Sequence, residues 1–391
     1  MIPVLFWLFL RILTSVTAAL VSSIKPLTPV EKIVLLLPPS APLGQWFDRV
    51  FLSPWMRWDA LWFRSIVTNG YSATDGTAQF HPLYPFLAVP LARLGFSPSL
   101  SLLLVSSLAG IAAYWFFFKL CQLDLSRKDA IFALMVFALA PPAFVLFAPY
   151  SEALFILTSI LCMYFLIKKS WWLAGLMGAL AVLTRQQGIF LLVPMAWELW
   201  ESSGRSFSNL RKQWRDWLAV LLIPAGLLVW LIYRAAILND VHASFTSLQQ
   251  FIYSILISPS AEKVVAVQRF VWPWLSVKYF YAKLATAPDI DIWVNVILGA
   301  VFLVLLALTW TRMRFSYCLY CLIIGLVSFS YYTGPIHPCM GLPRHLYLAF
   351  PIYIGLAVLV KKPWLRLFVI GISSAMMLFL LGLYVLSAWV P

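Results

Sequence analysis

Long apolar runs, broken at short intervals by small clusters of Lys and Arg, set the pattern of this chain. A membrane-spanning helix needs about 20 predominantly apolar residues. On that basis the runs at 2–24, 98–120, 130–148, 151–167, 171–184, 187–200, 217–237, 292–310, 315–333, 345–360 and 364–389 predict about 11 spans. The pieces 171–184 and 187–200 are short, and they form either two helices or one long tilted one. If Lys168-Lys169 and the Arg205 to Arg215 cluster face the same side, the chain crosses and returns between them, with a turn at Thr184-Arg185-Gln186-Gln187-Gly188. Two long connections are left, 25–97 and 238–291. The chain 1–391 therefore reads as a single all-α polytopic membrane domain.

Composition agrees: 63% of residues are hydrophobic and 11% charged, against roughly 25% charged in an average globular protein. The excess of 28 Lys and Arg over 14 Asp and Glu gives a net charge of +14, which by itself would suit a nucleic-acid partner. Its distribution argues otherwise. Clusters at Lys119 to Lys128, Lys168-Lys169, Arg205 to Arg215, Arg312 with Arg314, and Lys361 to Arg366 each sit between apolar runs, as cytoplasmic loops do under the positive-inside rule. That arrangement puts both long connections outside, the amino terminus inside, and no nucleic acid among the partners. The first run carries Arg11 and lacks a small-residue cleavage site, so it reads as a retained helix rather than a signal peptide.

Acids avoid the predicted membrane interior, whereas ion-coupled transporters keep carboxylates there. The five cysteines lie in or beside apolar runs, and the Cys318/Cys321 spacing lacks partner ligands for a metal. No disulfide framework is indicated.

The densest chemistry falls in the first outer loop. Ser53 suits an N-cap, Pro54 a first helical position, and Asn69-Gly70 a stop, predicting an interfacial helix over about 54–68. Its Trp55, Trp58, Trp62 and Ile66 would form one stripe at headgroup level, with Arg57 and Arg64 opposite. Asp59, at the edge of that stripe, is either a partly desolvated general base or a surface partner of Arg57 or Arg64. Asp48 and Asp75 are rival bases without such shielding. Prolines on both sides of Leu83-Tyr84 predict a rigid extended turn that presents His81 and Tyr84, followed by a short apolar helix through Pro90. Taken alone, His81 reads first as a structural hydrogen bonder.

Arg57-Trp58-Asp59-Ala60, Gly70-Tyr71 and Phe80-His81-Pro82-Leu83-Tyr84-Pro85 together resemble the first-loop signature of the PIG-V family, the GPI mannosyltransferase 2 family and its bacterial relatives. Ala148-Pro149-Tyr150-Ser151-Glu152-Ala153-Leu154-Phe155, the Thr184 to Gly188 turn, Gln268-Arg269 and Pro343-Arg344-His345-Leu346 are similar to its later blocks, in order. Two departures stand out: Gln186-Gln187 replaces a Ser-Asn pair of the eukaryotic members, and His81 replaces their usual Phe.

The resemblance implies a GT-C type inverting glycosyltransferase. It would move a hexose, most readily mannose, from a polyprenyl-phosphate sugar donor to a hydroxyl of a lipid, glycan or protein acceptor. Asp59 becomes the leading general base. Arg185, Arg344, Arg64 and His81 are candidates for the donor phosphate, and Trp58, Tyr84, Tyr150, Glu152 and Gln187 for the substrate. Glu152 equally suits a helix N-terminus as a structural acid. No cofactor and no metal are expected, since the first-loop carboxylates are too dispersed for a metal set. The alternative is a transporter or flippase of a lipid-linked sugar or polyprenyl carrier. The expected setting is a prokaryotic cell membrane with the site facing outward, or a lumenal site in the endoplasmic reticulum of a eukaryote.

Overall fold

The computed structural model describes residues 1–25, 46, 48–240, 269–334 and 337–386. The described residues are helical apart from short connections and one antiparallel pair of two-residue strands, β1 (Arg269–Phe270) and β2 (Tyr331–Tyr332). In chain order the helices are α1 (Ile2–Ile24), α2 (Asp59–Asn69), α3 (Leu83–Arg93), α4 (Pro98–Cys121), α5 (Arg127–Ala138), α6 (Glu152–Ile167), α7 (Trp171–Thr184) and α8 (Leu192–Ser202). There follow α9 (Phe207–Lys212), α10 (Trp214–Val220), α11 (Leu222–Ala236), α12 (Pro273–Thr286), α13 (Ile290–Thr309), α14 (Phe315–Phe329), α15 (Leu342–Tyr347), α16 (Ile352–Leu359) and α17 (Pro363–Val385).

Local chemistry sets several helix starts. Ser97 accepts from the Leu100 N–H ahead of Pro98, Ser126 accepts from Asp129 N–H, and Asp289 accepts from Ile292 N–H, each satisfying a donor the helix itself leaves open. Helix α7 meets α10 at small residues: a Cβ on Gly175 would lie 2.2 Å from the Ala219 carbonyl oxygen, the close backbone approach typical of membrane helix pairs.

Among the described residues five stretches are long and apolar enough to cross a membrane: α1, α4, α10 with α11 as Trp214–Ala236, α13 and α17. The protein is a multi-pass integral membrane protein. Helices α6, α7 and α14 are shorter and apolar. The remaining predicted runs are interrupted rather than continuous. Pro141-Pro142 ends the 130–148 run as a helix, and it continues as a 3-10 turn over Ala143–Phe147. Pro351 divides α15 from α16, and α8 is entered through a 3-10 turn at Gln186–Leu191. Proline supplies no N–H to a ladder, and irregular backbone at this depth is tolerated where protein encloses it; Ala143 to Phe147 are all buried. The 171–200 region resolves into two helices, with Arg185 in extended conformation between them.

Two loop expectations are also corrected. The 54–68 helix is broken: Ser53–Trp55 is a 3-10 turn, Trp58 adopts φ 49°, and helix begins at Asp59. The turn predicted around Leu83-Tyr84 is instead the first turn of α3, where Pro85 needs no intrahelical N–H. The 238–291 connection contains α12, and its residues 241–268, including Gln268, lie outside the described ones.

Three cationic clusters meet at one end of the bundle. Arg314 pairs with Asp124 at 2.5 Å, while Lys361 at 3.1 Å and Arg366 both bind Asp129. Lys168 follows α6, so Glu152 at the other end of that helix lies about 24 Å away at 1.5 Å rise per residue. The buried cysteines are free; Cys318 and Cys321 donate to the carbonyls of Trp310 and Ala349.

Candidate active site

At the end of α6 remote from Lys168, four chain segments bring together two acids and two arginines. The first segment is unusual in its backbone. Trp58 has φ 49° and ψ −116°, a conformation costly for a bulky residue that persists only where the surroundings impose it. The buried guanidinium of Arg57 donates to the carbonyls of Ser53 at 2.7 Å, Met56 at 3.1 Å and Val385 at 3.1 Å. The Tyr384 hydroxyl donates to Trp55 O at 2.8 Å, and the Tyr150 hydroxyl to Arg57 O at 3.1 Å. These bonds hold the backbone on which Asp59 opens α2. Arg57 is thus a buried brace, not the solvent-side charge that the stripe predicted, and Trp55 is buried while Trp62 is exposed.

Asp59 pairs with Arg344 through Oδ2 and Nη2. Arg344 also binds Glu152, Nε to Oε1, and Glu152 Oε1 lies 2.7 Å from Arg185 Nη1. Arg185 Nη1 donates further to Ser151 Oγ at 3.1 Å. The order is Asp59, Arg344, Glu152, Arg185, with charges alternating. The Arg344 guanidinium rests over the Tyr150 ring, 4.7 Å from its centroid, a cation–π contact that burial strengthens. Gly188 permits the Arg185 turn, because a Cβ there would lie 2.3 Å from the Val182 nitrogen.

Access differs sharply between the two acids. The Glu152 side chain is 1% exposed and that of Asp59 27%, so Glu152 serves as the sealed counter-ion of both arginines while Asp59 is the acid an incoming molecule can touch. A buried ion pair is weak evidence for stability; its value here is that it fixes two guanidinium groups beside a reachable carboxylate.

Of the other predicted residues, Tyr150 lies under Arg344 and half-buried Trp58 adjoins Asp59. Gln187 is half-buried in the 3-10 turn after Arg185. Tyr84 is fully buried, edge-on to Phe63, and its hydroxyl donates to Leu102 O at 2.9 Å. Arg64 is half-buried on α2, five residues after Asp59.

His81 is buried beside the Trp230 ring at 6.1 Å. Burial, aided by the positive charges of Arg185 and Arg234 and opposed by a backbone bond at Val182, lowers its pKa to about 4. It is neutral at pH 7 and brings no positive charge to a phosphate. Because the unfolded imidazole titrates near 6.5, the unfolded chain binds more protons between pH 6.5 and 4. Stability is therefore complete above that window and falls as pH drops through it. His81→Phe removes this dependence. Thermal unfolding in detergent at pH 7 and pH 5 checks it: the expected difference attributable to His81 is on the order of 2 kcal/mol, and an equal acid sensitivity of variant and parent would refute it.

Of the rival bases, Asp75 is held below the ordinary carboxylate range by the Thr77 hydroxyl and N–H, and the Asp48 side chain lies outside the described residues. Sequence reasoning missed Ser151 and Tyr331. Tyr331 lies within electrostatic reach of Asp59, Arg344 and Arg185 and packs on His345 at 5.5 Å; nothing in its local sequence marked it.

Comparison with known proteins adds three findings. The family model described as Mannosyltransferase (PIG-V) matches residues 3–262. GPI mannosyltransferase 2 of Schizosaccharomyces pombe is 29% identical over 151 residues, which take in 37% of this chain and 32% of that protein. The chain therefore spans about a third of that curated relative's length. The apo crystal structure of the Archaeoglobus fulgidus oligosaccharyltransferase superposes with a TM-score of 0.49 at 11% identity, over 97% of this chain and 56% of that one.

Proposed function

This chain belongs to the mannosyltransferase (PIG-V) family, and we propose that it is an inverting GT-C type glycosyltransferase that moves a hexose, mannose first among them, from a polyprenyl-phosphate donor to an acceptor hydroxyl. The observation that carries the reading is the alternating set Asp59, Arg344, Glu152 and Arg185, with Asp59 its accessible acid.

In this scheme the acceptor oxygen attacks C1 of the sugar as Asp59 takes the hydroxyl proton. The bond from C1 to the phosphate oxygen breaks, and the phosphate leaves with the electron pair. One displacement inverts the anomeric centre. A phosphate leaves without a proton, so no second carboxylic acid is needed, in contrast to the acid and base pair of glycosidases. Arg344 and Arg185 suit the leaving group, because a planar guanidinium binds phosphate bidentately. Arg344 is shared between two carboxylates in the resting site. A donor phosphate competes with Asp59 for its N–H groups, which frees the carboxylate to accept a proton as the donor arrives.

The purified protein incubated separately with polyprenyl phosphate mannose, glucose and arabinose, scored for released polyprenyl phosphate, tests the reading. Mannose should give the fastest release. No release from any donor, with movement of intact carrier across a vesicle membrane, would establish a transporter instead.

Both proposed phosphate partners are arginines, and no three His, Cys, Asp or Glu side chains gather among the described residues. Transfer is therefore expected to persist in a chelator. Activity lost in the chelator and restored by Mg²⁺ or Mn²⁺ would contradict this.

A further inference from the structure

Asp291 has no part in the proposed reaction, yet it is a buried carboxylate in the first turn of α13. Its Oδ1 accepts from Asn295 Nδ2 at 3.2 Å, and its Oδ2 lies 3.2 Å from His337 Nδ1. His337 opens the short turn that leads into α15, the helix carrying Arg344.

That turn is backbone-strained and tied at several points. Cys339 has φ 54° and Gly341 φ 71°; the first is a conformation that a non-glycine residue holds only where its surroundings over-determine it. The Thr333 hydroxyl donates to His337 O and accepts from Met340 N–H at 2.8 Å, joining both ends of the turn. Cys339 Sγ donates to Ser276 Oγ of α12 at 3.4 Å. The Asp291–His337 contact ties the turn by a charge-capable pair to the long membrane helix α13.

We propose that Asp291 and His337 are positioning residues for Arg344. This rests on the assignment of Arg344 to the donor phosphate. The pair holds the turn in its strained form and so sets where α15 begins, and with it the reach of the Arg344 guanidinium to Asp59 and Glu152. Small misplacements of a binding group are expensive: about 1 Å can cost on the order of 100-fold in rate.

The test uses the full-length purified protein with polyprenyl phosphate mannose as probe. Asp291→Asn, and independently His337→Gln in case the first folds poorly, should raise the dissociation constant and KM for the donor by about 10-fold with little change in melting temperature. Arg344→Lys should weaken donor binding as well. Combining it with Asp291→Asn should add little further, since coupled residues are non-additive. Unchanged donor affinity in both single variants, or losses that multiply in the double variant, would overturn the positioning role. If Arg344→Lys binds donor like the parent, the phosphate assignment fails, and the inference with it.

Discussion

Asp59→Asn is expected to reduce sugar transfer by about 10²–10⁴-fold, the usual contribution of a positioned proton acceptor, while leaving the fold and donor binding in place. The substitution is nearly isosteric. The amide oxygen still faces Arg344, and Arg344 retains Glu152 as its second partner. The site is also partly open, so losing one charge there need not unfold the chain. What disappears is the group that takes the hydroxyl proton. The decisive measurement is polyprenyl phosphate release, run beside a melting curve and a donor-binding titration. Near-normal transfer with intact binding would end the assignment of Asp59 as base, and a carrier transporter should scarcely respond to the change.

Arg344→Leu should damage both stability and transfer. The Arg344 side chain is 11% exposed and bridges two acids from distant segments. Without it Glu152, 1% exposed, keeps Arg185 alone, and Asp59 loses its partner. Removing one member of a buried pair leaves an uncompensated charge and typically costs about 3–5 kcal/mol. A clear fall in melting temperature, together with transfer below detection, is the expected result. Arg344→Lys separates the two effects: it keeps the charge but not the fork that reaches both carboxylates, so stability should recover more than activity. A leucine variant that melts with the parent would show that water, not Arg344, satisfies these acids.

Much of this architecture is written in local pattern. Apolar run length and clustered cations were enough for the membrane class, and the meeting of Asp124 with Arg314 and of Asp129 with Lys361 and Arg366 accords with clusters that share one side. Where prolines fall inside apolar runs the pattern misleads. Periodicity reports burial, and the stretches around Pro141-Pro142 and Pro351 are buried whether or not they are helical.

The four residues of the charged cluster were each visible in the sequence. Asp59 stood at the edge of the tryptophan stripe, and the blocks that resemble the PIG-V family brought it forward together with Glu152, Arg185 and Arg344. Their union was not visible, for Asp59 and Arg344 are separated by 285 residues, and no local rule reports which helix ends converge. The same lack of long-range information hid Arg57. Helical spacing placed it on an exposed face, whereas the left-handed Trp58 turns the chain so that Arg57 reaches the Val385 carbonyl at the end of α17. Residue chemistry along the chain thus determined a membrane protein and the groups available to it. Only tertiary structure decided which acid is sealed and which is open, because exposure of a side chain is a property of its packed neighbours and not of its position in the sequence.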